Sequence, residues 1–241
     1  MLIPSKPKNK NHKNKVLNMR NVIQLMKNTK NVEIISKENK EIKVQVVSGS
    51  NKTVSIPLSI TEDLSYIIAA IMCDGHLRKN MFRIVFEVTD NKLMEKFISK
   101  FNKTFKTKEK YRERNDKRLN RKNLFRTQIN SKPIVVFLNE VFNIPKGRKS
   151  SKIVIPCQIK SSDQKIKEAF LEGVIDTDGG DRGKYIGITS KSERFIDELI
   201  VMSDELNLNV FKDKWYNKEY DRDYYGLKFK RLRGYPSGQR G

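Results

Sequence analysis

The chain has 241 residues, enough for one large domain or two small ones, and 37% of them are hydrophobic at a mean hydropathy of −0.65, so a buried core is expected. Its 50 Lys and Arg against 28 Asp and Glu give a net charge of +22, spread along the whole length, and such a surface seeks a polyanion, nucleic acid by default. The sequence has neither an apolar run near twenty residues nor an apolar helix face beside a basic one, which argues against a membrane partner. Two cysteines, Cys73 and Cys157, are too few for a disulfide scaffold and lack the spacing of a zinc site, so a reducing, cytoplasmic setting is expected.

Residues 1–58 read as a basic N-terminal arm and a short β-rich module. Met1-Leu2-Ile3-Pro4 runs into a Lys/Asn-rich stretch with no apolar centre, so it is no signal peptide, and a mobile arm is expected. Strand-like pieces follow at Val32–Ser36, Ile42–Val47 and Thr53–Ile56, with Ser48-Gly49-Ser50-Asn51 as the turn of a hairpin. A capping box, Ser59-Ile60-Thr61-Glu62, opens an apolar helix that reaches Cys73, where Asp74-Gly75 stops it. Next come a strand over Arg83–Thr89, a helix over Leu93–Phe105, a basic hairpin over Tyr111–Ile129 and a second apolar helix over Ile134–Phe142.

The same order then recurs. Ser161-Ser162-Asp163-Gln164 precedes a helix over Ile166–Thr177, ended by Gly179-Gly180, and a strand (Tyr185–Thr189), a helix (Phe195–Leu206) and a basic, aromatic hairpin (Val210–Arg231) follow. The order is α-β-α-β-β twice. The repeats span 59–150, with the linker, and 151–233. In the irregular tail 234–241 no counterpart of the Ile134–Phe142 helix appears, so the second repeat reads as truncated.

Two nine-residue stretches anchor the duplication: Ile67-Ile68-Ala69-Ala70-Ile71-Met72-Cys73-Asp74-Gly75 and Leu171-Glu172-Gly173-Val174-Ile175-Asp176-Thr177-Asp178-Gly179. Their third and seventh positions, Ala69 and Cys73 in one and Gly173 and Thr177 in the other, are small and lie one turn apart on one helix face. Two such faces can pack with backbones in near contact, and parallel packing brings Asp74 and Asp178 together at the helix ends. Two like charges there need a compensating cation, and oxygen ligands without histidine favour a hard ion such as Mg²⁺.

Both stretches resemble the LAGLIDADG signature, and residues 60–231 resemble a two-repeat LAGLIDADG homing endonuclease of the kind carried in archaeal introns and inteins. The linker Asn143-Ile144-Pro145-Lys146-Gly147-Arg148-Lys149-Ser150 is similar to the segment before the second motif in archaeal members. The resemblance implies an α+β fold of two pseudo-symmetric αββαββα units forming a DNA-binding β-saddle. It implies Mg²⁺, or Mn²⁺, held by Asp74 and Asp178 with the adjoining Gly75 and Gly179. It also implies cleavage of both strands of double-stranded DNA at an asymmetric target of roughly 20 base pairs by a monomer. Met72 and Glu172 depart from the usual motif residues, and Ala69 stands where glycine is usual.

The family places basic or amide residues around the metals, often where the first long strand leads into a helix. Ile188-Thr189-Ser190-Lys191 keeps a lysine there and Val88-Thr89-Asp90-Asn91 does not, so Lys191 is the expected catalytic cation, with Lys149, Lys228 and Lys230 as further candidates. Lys103–Arg126 holds 11 Lys/Arg among 3 acidic residues, a density suited to a β-ribbon in the major groove. Arg83, Arg112, Arg114, Lys117, Arg121, Arg126 and Gln128 are the expected DNA contacts of the first half; Lys214, Tyr216, Lys228 and Lys230 are those of the second. The alternative is a non-cleaving protein on the same fold, an intron-splicing maturase that binds its host intron RNA or a DNA-binding regulator.

Overall fold

The computed structural model describes residues 19–47, 52–114 and 123–230. The expected basic arm up to residue 18, the turn 48–51, Lys117, Arg121 and the tail 234–241 lie outside the described residues. The first described element, α1 (Met19–Asn28), is one the sequence reading leaves in the arm; Val22 and Met26, four residues apart, enter the core, and the polar residues around them hide the period. Strands β1 (Val32–Lys37), β2 (Glu41–Val46) and β3 (Thr53–Pro57) form an antiparallel sheet in that order. Ile42, Val44 and Ile56 are fully buried in one core shared with two helices of the first repeat, α3 (Asn91–Phe105) and α4 (Lys132–Phe142), against which β3 packs.

The first repeat is α2 (Glu62–Cys73), β4 (Gly75–Leu77), β5 (Arg83–Val88), α3 (Asn91–Phe105), β6 (Arg112–Arg114), β7 (Leu124–Asn130) and α4 (Lys132–Phe142). A four-residue helix, α5 (Cys157–Lys160), precedes the second repeat. That repeat is α6 (Gln164–Asp178), β8 (Gly179–Arg182), β9 (Tyr185–Ser190), α7 (Glu193–Glu205), β10 (Val210–Asn217) and β11 (Arg222–Lys230). Each repeat thus carries one strand more than the sequence order contains, because β4 and β8 have only 3 and 4 residues and are too short to show an alternation. The α2 cap also differs: Thr61 accepts from the Leu64 N–H at 3.2 Å and is the N-cap, two residues beyond the Ser59 that opened the expected capping box.

The two sheets have the same order, β4-β5-β7-β6 and β8-β9-β11-β10, all antiparallel. Pairing of Gly75 with Phe86 and of Gly179 with Ile188 sets the correspondence between them, so Ile84 matches Ile186 and Ile129 matches Phe229. This is the α+β, antiparallel two-repeat fold expected from the resemblance. In the first repeat α3 contributes Phe97, Phe101 and Phe105 at helical spacing, with Phe86 stacked on Phe97 at 4.1 Å between ring centroids.

Among the described residues the second repeat is less fully covered. Leu171, Ile175, Ile186 and Phe229 are the counterparts of Ile67, Ile71, Ile84 and Ile129, all four of which are 0% exposed in the first repeat. In the second repeat they line an apolar groove of about 270 Å³ that includes Lys230 at the end of β11, and Ile175 and Ile186 stay partly exposed. Among the described residues no helix follows β11 as α4 follows β7. Nor is any described helix long and apolar enough to cross a membrane.

Candidate functional site

Helices α2 and α6 pack in parallel along their motif faces. Near their starts the buried Ser65 Oγ donates to the Ile166 carbonyl at 2.8 Å. Midway, a Cβ on Gly173 would stand 2.8 Å from both the Ala69 Cβ and the Tyr66 carbonyl oxygen, a closeness only glycine permits. At their ends the Cys73 side chain lies beside those of Thr177 and Asp178. The small residues of the motif therefore bring the two helix backbones together, and the aspartates that follow meet at one place.

Asp74 is the C-cap of α2 and Asp178 the last residue of α6, each followed at once by a strand. The turn from helix to strand is tight. A Cβ on Gly75 would lie 2.8 Å from the Ile71 Cα, and one on Gly179 would lie 2.2 Å from the Ile175 carbonyl oxygen. Two helix C-termini, each with the negative end of its dipole and a carboxylate, make this a centre for cations.

One cation is already there. Lys149, from the segment between the repeats, donates from its ammonium to the Met72 carbonyl and, at 2.7 Å, to the Cys73 carbonyl at the end of α2. Burial pushes its pKa down, opposed by Cys73, Asp178 and Asp74, so the ammonium lies within the field of both carboxylates. Burial, with the Asp178 charge, pushes the Cys73 thiol well above its ordinary value. His76, two residues past Asp74, is held below its usual pKa by burial and by Arg78, Lys149 and Arg126, with Glu87 opposing. His76 is a site residue that sequence reading missed; its place behind the motif glycine was the available signal.

The ammonium of Lys191 stands 5.5 Å from the centroid of the Tyr224 ring on the second sheet. Lys149, which the fold brings to the paired carboxylates, is only a further candidate in the sequence because no local pattern marks a linker residue that folds back onto a helix end. Asp176 and Glu172, the other acidic motif residues, are tied up outside this centre: both bond Lys96 of α3 at 2.6 Å, and Asp176 also accepts from the Tyr66 hydroxyl.

The donor chemistry fits a hard divalent cation. Asp74 and Asp178 offer carboxylate oxygens, Gly75 and Gly179 are the next backbone carbonyls, and the soft donor nearby, Cys73, is held as a thiol. Among the described residues no three His, Cys, Asp or Glu side chains gather to hold a metal ion. The protein thus offers a partial oxygen set.

The sheets extend from this centre, and side-chain alternation decides which residues face away from the helices. Ile84, Phe86, Thr127 and Ile129 point to the core, so the opposite face carries Arg83, Gln128, Arg126, Arg112 and Arg114 together, with His76 and Asn130 beside them. Arg83 Nε donates to Asn130 Oδ1 at 2.7 Å, and Arg126 pairs with Glu87 at 3.4 Å. On the second sheet Lys228 and Lys230 share the outer face, in line with Tyr224 and Gly226. Lys214 and Tyr216 do not. The β10–β11 register puts them on the face turned to α7, in line with Lys212, which bonds Glu193 and Asp197 of that helix. Lys214 is further held by Asp223 at 2.8 Å. The outer face of β10 is instead Phe211, Asp213 and Trp215.

No family model matches the sequence. A segment of the replication factor C small subunit of Methanocaldococcus jannaschii is 27% identical over 166 residues, 69% of this chain. The chain spans only 8% of that protein's length. Among solved structures, a point variant of the homing endonuclease I-DmoI, in complex with its target DNA in the presence of Mn, superimposes at a TM-score of 0.50 with 12% identity, covering 70% of this chain and 87% of that one. Weaker likenesses are to the homing endonuclease I-WcaI bound to its DNA recognition sequence (TM-score 0.47, 17% identity, 70% of this chain and 75% of that one). Another is full-length DUF199/WhiA of Thermatoga maritima (0.48, 12% identity, 71% and 51%). The chain has the fold of the LAGLIDADG homing endonucleases.

Proposed function

We propose that this protein is a monomeric, site-specific endonuclease that hydrolyses both strands of double-stranded DNA at an asymmetric target of roughly 20 base pairs. The observation that carries the reading is the convergence of Asp74 and Asp178 at the ends of two parallel helices, between two basic, outward-facing sheets. Its net charge of +22 supplies the sequence-independent attraction to phosphate. A match confined to 8% of a far longer replication protein suits a mobile element carried inside a host protein.

Asp74 and Asp178, with the Gly75 and Gly179 carbonyls, would hold Mg²⁺ or Mn²⁺. When bound, the metal lowers the pKa of a coordinated water, polarises the scissile phosphate and stabilises charge on the leaving oxygen. The protein's own part is positional. Tight packing at Gly173 fixes the distance between the carboxylates, and the glycine turns hold each against its own helix end. Lys149 compensates the two negative helix termini, a placement that makes it, ahead of Lys191, the lysine able to offset charge on a phosphate seated there. Arg83, Arg112, Arg114, Arg126 and Gln128 on one sheet and Lys228 and Lys230 on the other would engage the duplex; Lys214 and Tyr216 would not reach the same surface.

The test is cleavage of a randomised duplex pool with Mg²⁺ or Mn²⁺, followed by the Asp74→Asn variant on any selected target. Loss of cutting of both strands with affinity within about threefold of the parent is expected; continued double-strand cutting by the variant overturns the assignment. A second reading is a non-cleaving DNA- or RNA-binding protein on this fold. It is favoured by the apolar groove that the described residues leave open in the second repeat, and duplex binding without nicking in either metal would select it.

A further inference from the structure

We infer that the two sheets read their halves of the target by different chemistry: the first by hydrogen bonds to guanine edges, the second by apolar contact with thymine methyl groups in a glycine-floored recess. The inference rests on the DNA-binding reading above.

The strand registers allow a position-by-position comparison. With Gly75–Phe86 and Gly179–Ile188 as equivalent pairs, Arg83 corresponds to Tyr185 and Arg126 to Gly226. On the edge strands Arg112, opposite Arg126, corresponds to Asp213, opposite Gly226; Arg114, opposite Leu124, corresponds to Trp215, opposite Tyr224. Four outer-face arginines of the first sheet are therefore replaced, by Tyr, Gly, Asp and Trp, while the outer face of the second sheet keeps Arg182 at the end of β8 and Arg222 at the start of β11. In addition Val85 corresponds to Gly187 and His76 to Gly180. An arginine fork is the side chain that grips the O6 and N7 of guanine with two hydrogen bonds, and the second outer face has lost that fork at these four places.

What replaces the forks is a depression of about 480 Å³, lined by Gly187, Gly226, Thr189, Tyr185, Trp215 and Arg182 among others. Its floor is glycine for a reason. A Cβ on Gly226 would come 2.9 Å from Trp215 Cζ3, and one on Gly187 would come 2.9 Å from Arg182 Cγ, so the indole and the arginine stem lie across bare backbone. Trp215 is braced by stacking on Tyr224, with ring centroids 6.1 Å apart and an interplanar angle of 13°. The floor offers few hydrogen bonds, because Gly187 is paired to Gly180 and Lys228, and Gly226 to Asp213 and Thr189. Lys228 and Asp213 pair with each other at 2.8 Å and neutralise the polar wall. The faces of Trp215 and Tyr185 and the stem of Arg182, over a paired floor, suit the C5-methyl group that marks thymine in the major groove.

The experiment uses the full chain and a duplex target selected by binding from a randomised pool. Each half-site is assigned to its sheet by the positions that relax in Arg112→Ala and in Trp215→Ala. Deoxyuridine for thymidine removes only the methyl; 7-deazaguanine for guanine removes only the N7 acceptor. Uracil throughout the half-site under the second sheet should weaken binding about tenfold, and under the first less than about twofold, with 7-deazaguanine giving the reverse. Trp215→Ala should abolish the uracil effect while keeping that of 7-deazaguanine. Equal sensitivity of both halves to both analogues, or no uracil effect under the second sheet, overturns the inference and leaves the DNA-binding reading standing. If the pool yields no preferred sequence, the reading itself fails, and the inference with it.

Discussion

Replacing Gly173 by alanine puts a methyl group where no space exists for one. The added Cβ would stand 2.8 Å from the Ala69 Cβ and from the Tyr66 carbonyl oxygen, and 3.3 Å from the Tyr66 Cα, where ordinary contact is 3.4–4 Å. Two of these three neighbours are backbone, so no side chain can rotate away, and α2 and α6 must separate by roughly half an ångström in a close-packed interface. Overpacking of this kind costs about 1–3 kcal/mol, while alanine in place of glycine inside a helix returns up to about 1 kcal/mol. The net expectation is a destabilisation of about 1–2 kcal/mol, a fall in Tm of roughly 2–8 °C for a chain of this size. Urea and thermal melts followed by far-UV circular dichroism measure it. The Ala69→Gly, Gly173→Ala double variant should recover part of the loss, since it removes one of the three contacts. A Gly173→Ala protein more stable than the parent by the full helix-propensity gain would show that the helices are not in backbone contact, and the account of the paired carboxylates would fall with it.

Lys149→Met should lower stability by about 1–3 kcal/mol, because the last carbonyls of α2 and both carboxylates lose their internal cation. Mg²⁺ should then raise the Tm of this variant more than that of the parent, and equal shifts in the two would contradict the placement. Ser65→Ala removes a buried bond between α2 and α6 and is expected to cost about 1 kcal/mol in a urea melt; a neutral result would argue against helix contact at that end. Asp63, in the first turn of α2, is opposed by burial but bonded by Lys100 at 2.8 Å and Lys103 at 2.7 Å, and the two lysines hold its pKa below the ordinary 3.8. A depressed pKa means that its contribution is complete above the unfolded value and is lost as pH falls through the folded one. The stability gap between parent and Asp63→Asn, roughly 1–2 kcal/mol at neutral pH, should therefore narrow as pH falls below 3.8, and a gap that stays constant there would refute the pairing.

What the sequence by itself determined is local and periodic. The two apolar nine-residue stretches with small residues one turn apart, the aspartate-glycine stops and the recurring order of elements follow from side-chain size and spacing, and they fixed α2, α6 and the carboxylates at their ends. The alternation of β5 and β7 likewise put Arg83, Arg126 and Gln128 on one face, because a strand has only two faces to choose from. Elements too short or too polar to show a period, β4, β8 and α1, were not legible.

Tertiary structure decided the rest. Which lysine serves the carboxylates depends on how a linker folds back, and Lys149 reaches the α2 terminus from 76 residues away along the chain. Whether Lys214 or Trp215 faces outward depends on the β10–β11 register, and a shift of one residue exchanges the two faces. The replacement of four arginines of the first sheet at the equivalent places of the second is visible only once two registers are laid over each other, because cross-strand neighbours are set by pairing and not by proximity in sequence.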